Sequence, residues 1–207
     1  TPGIPSGGGG RTRRQSARTH VSERVLRSAV VRVVVVVDRL GLEPGDGVCV
    51  SHVIQAASNT IWKAISQPGH LKQCHPFCRE TTILQWPGVG AKDTLTYYSG
   101  VHYQRDFVTW IEGVGYDIEV GPPPDKTARV LWRIKALSEQ RSELMIKVTP
   151  YLKSNLPENR KQSYQQRFFG DTIAQYLDSV VQGVDHFVTT GQAVRKNQFG
   201  THPIYSD

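Results

Sequence analysis

The first residues that invite chemistry are Cys74-His-Pro-Phe-Cys78, with His70 just upstream. Thiolates and imidazoles are the ligands that zinc prefers. The spacing, however, is Cys-x3-Cys, no second pair follows, and Cys49 is the only other thiol. Rigid Pro76 also works against convergence of the side chains. The segment therefore reads as small, half-buried thiols at a helix-to-strand turn, and neither a metal nor another cofactor is expected. A Cys74–Cys78 disulfide would close a tight loop, and such bonds are rare in the cytoplasm.

The second set is spread over runs with strand character: His52, Tyr97, Tyr98, Tyr103, Arg105, Trp110, Tyr116, Trp132 and Met145. A cavity for an aromatic or acyl molecule needs apolar walls and a few polar anchors. Arg105 shares its parity with Val101, Tyr103, Phe107 and Ile111. An inward Arg105 would bind a carboxylate or carbonyl. The opposite parity carries Val108 and Trp110, so an outward Arg105 paired with Asp106, Asp117 or Glu119 stands beside the first reading. Trp132 has the apolar parity of its strand, whereas Met145 has that of Lys147 and Thr149.

Acid–base pairs are scarce. Glu112 and Asp117 flank Gly113-Val-Gly115, and Asp93 and Asp106 sit near strand ends, where carboxylates are usually solvated. No Ser-His-Asp order, phosphate loop or His-x3-His pair is present, and each would be needed for its own class of chemistry. Catalytic residues are thus left unassigned.

The elements that must position these residues follow from periodicity. Val48–Ile54 reads as the first strand. Ser58 is a candidate cap for a short helix over Asn59–Ser66, and Pro68–Gln73 reads as a second. Extended runs follow at Arg79–Trp86, Asp93–Ser99, Val101–Glu112, Tyr116–Val120, Thr127–Leu137 and Ser142–Tyr151, each bounded by a turn signal. Their short turns argue for an antiparallel meander. From Pro157 onward, Phe169, Ile173, Tyr176, Leu177, Val180, Val181, Val184, Phe187 and Val188 form one helical stripe that ends at Thr190-Gly191. Phe169, Ile173 and Tyr176 should face the sheet. In the tail, 192–207, Phe199, Ile204 and Tyr205 can dock back on the domain.

The chain has 207 residues and a net charge of +7. Residues 1–47 hold eight Arg, no Lys and four acids, so +4 of that charge sits there. Gly7–Gly10, the Arg11–Arg14 cluster and Val33–Val37 make this stretch a disordered or non-native leader, with an organellar transit peptide as the other reading. Gly41–Gly47 reads as a turn-rich linker. The remaining +3 makes nucleic acid the weakest partner class. No run of about 18 apolar residues exists, so no integral membrane segment is expected. The expected location is the cytoplasm, or an organelle if the leader is a transit peptide. A weak homodimer is left open.

The order strand, two short helices, six strands and a long C-terminal helix resembles the helix-grip fold of the START/Bet v 1-like superfamily, whose bacterial members are often labelled SRPBCC or polyketide cyclase/dehydrase proteins. The resemblance covers about Val48–Thr190. It rests on that order and on the segment Val53–Ser66, where Ala57 to Trp62 is similar to the family's first strand-to-helix joint. It implies an α+β domain over 48–191, with a curved antiparallel sheet of about seven strands wrapped around the last helix. It also implies a cavity for a small hydrophobic or amphipathic ligand, such as a lipid. The expected lining is Tyr97, Tyr103, Arg105, Trp132, Phe169, Ile173 and Tyr176. A polyketide cyclase-like enzyme and a protein-interaction module are the alternatives, since fold does not fix function.

Overall fold

The computed structural model describes residues 42–207, without the side chains of Arg167 and Phe168. The leader was expected over 1–47, and its residues 1–41 lie outside the described residues. Strands β1 (Leu42–Pro44) and β2 (Val48–Ile54) lead into helices α1 (Ser58–Ile65) and α2 (Leu71–Cys74). Six strands follow: β3 (Cys78–Gln85), β4 (Lys92–Tyr97), β5 (His102–Ile111), β6 (Gly115–Gly121), β7 (Ala128–Ser138) and β8 (Arg141–Lys153). Helix α3 (Glu158–Tyr164), a π-helical turn (Gln165–Phe169) and helix α4 (Gly170–Thr190) complete the order.

Strands β3 to β8 form an unbroken antiparallel meander, and both β1 and β2 pair with long β8 on its far edge. Strand β8 alternates cleanly, with Leu144, Ile146, Val148, Pro150 and Leu152 buried and the alternate residues turned outward. This period-two pattern is what makes one face of a sheet a core wall. Helix α4 packs on β2, α1 and α2, with Leu177, Val180, Val181 and Val184 buried in the same core as that wall. The α+β helix-grip architecture anticipated from the element order is the one observed.

Four differences have physical causes. Leu42–Pro44, within the stretch read as a linker, pairs with Tyr151–Lys153 because β8 extends beyond the end of β2 and offers a free edge. The N-cap of α1 is Ala57, with no side-chain cap, so Ser58 belongs to the helix. The second short helix starts at Leu71, after a Ser66–His70 turn in which Gly69 takes φ +73. The C-terminal helix is interrupted by the π-helical turn, which widens one turn of backbone before Gly170.

Two glycines set close approaches that the site depends on. A Cβ at Gly183 of α4 would sit 2.2 Å from the Cys74 carbonyl oxygen, so only glycine lets α4 lie against the end of α2. A Cβ at Gly115 would sit 1.9 Å from the Trp132 carbonyl oxygen, at φ +148, so β6 can enter beside β7 only there.

Candidate functional site

A cavity of about 210 Å³ lies between the inner face of the sheet, α4 and the C-terminal tail. All seven residues expected to line a pocket, Tyr97, Tyr103, Arg105, Trp132, Phe169, Ile173 and Tyr176, stand on its wall. They arrive from β4, β5, β7, the π-helical turn and α4 because each shares the inward parity or stripe of its element. Ile118, Val130, Ile146, Val148 and Val180 make most of the remaining wall apolar. Exposed Tyr164 and Thr127 mark the mouth. Beside Trp132 lies an aromatic cluster in which Tyr116 packs on Trp132, Phe107 and Trp110 and its hydroxyl donates to His70 Nε2 at 3.2 Å. The His70 Nδ1–H donates to the Gln67 carbonyl at 3.0 Å, which fixes that tautomer.

Polar groups converge at one place. The Phe77 N–H donates to His75 Nδ1 at 3.2 Å, so the ring proton sits on Nε2 and is given to the Tyr176 hydroxyl at 2.9 Å. The Tyr176 and Tyr97 hydroxyls are 3.0 Å apart and share one hydrogen bond. Burial, with Arg105 nearby as a second cause, lowers the His75 pKa to about 3, so the imidazole is neutral. Burial and each other's proximity push Tyr97 up, and burial pushes Tyr176 up, so both remain protonated.

Arg105 faces inward, which overturns its reading as an outer-face residue paired with Asp106, Asp117 or Glu119. It is 3 % exposed and its partner is Asp93, opposite it on β4 and fully buried. Arg105 Nε donates to Asp93 Oδ1 at 2.7 Å and Nη2 donates to Oδ2. Burial opposes the charge on Arg105, but the Asp93 carboxylate more than offsets this and raises its pKa. The ambiguity in the sequence has a structural source. Phe107 pairs with Ile118 and Thr109 with Asp117, so Val108 is a bulge residue. Before it, Arg105 and Phe107 face the core; after it, Trp110 does.

The other polar candidates lie elsewhere. His52 is half-exposed and bonds Asp185 at 2.9 Å. Exposed Glu112 accepts from the Trp62 and Trp110 indoles, and Asp106 pairs with Lys126 at 2.7 Å. Asp117 is buried under Arg129 and Arg133 on the far side of the sheet from the cavity lining, where it bridges both guanidinia. Burial pushes the Cys74 and Cys78 thiols up to about 12 and about 11. Among the described residues no group of three candidate metal ligands converges.

Four contributors were missed. His75 was visible only as part of the Cys74–Cys78 segment, and the informative signal was its position before Pro76. Asp93 was taken for a strand-end carboxylate, although it shares the parity of Leu95 and Tyr97. Tyr205 and Ile204 of the tail dock back, as the sequence suggested, and additionally form part of the cavity wall. Tyr205 stacks on Tyr97 at 4.2 Å between ring centroids, and backbone bonds from Val194 to Gln73 and Asn197 to Pro76 hold the tail.

No family model matches the chain, and no curated protein matches it. Solved structures do. A protein of unknown function from Staphylococcus aureus matches with TM-score 0.59 at 10 % identity over 73 % of this chain and 98 % of that one. Truncated norcoclaurine synthase from Thalictrum flavum matches with TM-score 0.56 at 12 % identity over 72 % and 96 %. A START superfamily protein from Mycobacterium smegmatis matches with TM-score 0.52 at 14 % identity over 70 % and 97 %. At such identities the likeness is one of fold: the described domain has the helix-grip fold of the START/Bet v 1-like superfamily. Among the described residues, no helix is long and apolar enough to cross a membrane.

Proposed function

We propose that this chain, with its START/Bet v 1-like fold, binds a small and mainly apolar molecule in the cavity between sheet and α4. The observation that carries the reading is the cavity itself, about 210 Å³ with apolar walls and one cluster of polar groups. Protein interiors are packed to the density of organic crystals, with few voids larger than a water. A space of this size with apolar walls is therefore a candidate binding site. A cavity of roughly 150 Å³ holds benzene. The present one therefore suits one ring with a short substituent, or two fused rings, rather than a whole lipid chain.

Binding is favoured over turnover by the state of the inner groups. Of His52, Asp106, Glu112 and Arg105, only Arg105 faces inward, and Asp93 neutralises it. His75 and the tyrosines are held uncharged by burial. General acid–base work at neutral pH wants a group whose pKa lies near that pH, and these are shifted away from it.

Calorimetric titration of the full chain with ethylbenzene tests the reading. Saturable one-to-one binding is expected, and Val148→Phe, which fills the cavity, should abolish it while far-UV and near-UV spectra stay unchanged. Binding that survives Val148→Phe unaltered, or no binding by any ring-sized probe, would count against the cavity as a ligand site.

A further inference from the structure

The polar end of the cavity specifies the ligand further, on the premise that the cavity is a ligand site. We infer that its ligand is uncharged and carries an acceptor oxygen, a carbonyl or hydroxyl, that takes a hydrogen bond from the Tyr97–Tyr176 hydroxyl pair.

The hydroxyl protons of this cluster outnumber their acceptors. His75 is fully committed: Nδ1 accepts from the Phe77 N–H and Nε2–H donates to Tyr176. Tyr97 and Tyr176 bring one O–H each and share a single hydrogen bond. Whichever of the two donates, one hydroxyl proton remains without an acceptor among the hydrogen bonds of the described residues. Both side chains line the cavity, so that proton is available to an occupant. Leaving a buried donor unmet costs about 1–3 kcal/mol, and an acceptor oxygen on the ligand removes that cost.

Charge decides the rest. Arg105 looks like an anchor for a carboxylate, but both of its donors to Asp93 are made and the pair is buried at 3 % and 0 % exposure. A ligand carboxylate would add an uncompensated negative charge beside Asp93. A ligand ammonium would find that carboxylate already engaged by Arg105. Either ion must lose its hydration beside a pair whose charges already cancel, which is the expensive case. A neutral molecule avoids both penalties.

Three probes of similar shape separate the possibilities in calorimetric titrations of the full chain at pH 7: ethylbenzene, acetophenone and benzoate. Without the hydroxyl proton, desolvating its carbonyl would make acetophenone the weaker of the two neutral probes. The expected result is that acetophenone binds about tenfold tighter than ethylbenzene, one net hydrogen bond's worth, and that benzoate binds more weakly than acetophenone. In His75→Phe/Tyr97→Phe/Tyr176→Phe, which removes every donor of the cluster, the ratio of acetophenone to ethylbenzene affinity should fall to one or below, with near-UV spectra reporting folding. If ethylbenzene binds wild type and acetophenone binds no better, the acceptor inference is overturned and the ligand-site reading stands. Benzoate binding tighter than acetophenone overturns the requirement for neutrality. If no probe binds, the ligand-site reading fails and this inference fails with it.

Discussion

A buried arginine is an anion anchor only while its charge is free. Arg105 shows the other case, because Asp93 stands directly across the β4–β5 ladder from it. Asp93→Asn would strand the guanidinium in the interior, and unfolding free energy should fall by about 3–5 kcal/mol in urea titrations. His75 gives a pH signature. Its folded pKa is about 3 against 6.5 for the ordinary imidazole, since burial disfavours the charged ring. Between those values the unfolded chain binds the extra proton, so stability rises with pH in this window and falls as pH drops below 6.5. The loss should approach about 1.4 kcal/mol per pH unit per histidine, with buried His70 adding in the same direction. Urea midpoints measured from pH 7 to 4 check it, and His75→Asn should flatten the curve. At this scale the sequence showed which residues were bulky and inward in parity. It concealed Asp93 and His75, because a carboxylate near a strand end and a histidine beside cysteines each have a more common explanation.

Strand alternation and turn residues exposed the six-strand meander in the sequence, since a half-buried strand writes its two faces directly into the residue order. Irregularities were not legible in the same way. The bulge at Val108 changes which parity faces the core within one strand, so Arg105 and Trp110 both had apolar company. The π-helical turn before Gly170 breaks a stripe that reads as continuous. Short β1 carries too few residues to show a period, and its pairing is set by the length of β8. Gly183 looks like a mild helix defect in sequence but is where α4 meets the Cys74 carbonyl. Gly183→Ala should therefore destabilise the fold by about 1–3 kcal/mol, the usual cost of overpacking, whereas helix propensity alone would predict a gain of about 1 kcal/mol. The sign of the shift in urea midpoint separates the two.

Across the molecule, the meander, α4 and the tail enclose one cavity, and the tail is a wall rather than an appendage. Ile204 and Tyr205 reach the cavity, and Tyr205 covers Tyr97. Removing residues 202–207 should cost roughly 2–4 kcal/mol, from lost aromatic burial and stacking, and should speed ligand entry, as stopped-flow mixing with acetophenone would reveal. Charge at this scale is less informative than it looks, because +4 of the +7 lies in residues 1–47. The proposed ligand is a small neutral molecule held by the Tyr97–Tyr176 pair. A crystal structure of the chain with saturating acetophenone tests this most directly. The ring is expected between the sheet and α4, with its carbonyl oxygen within about 3 Å of a Tyr97 or Tyr176 hydroxyl. A cavity filled by its own side chains, or a ligand seated with its oxygen away from both tyrosines, would contradict it.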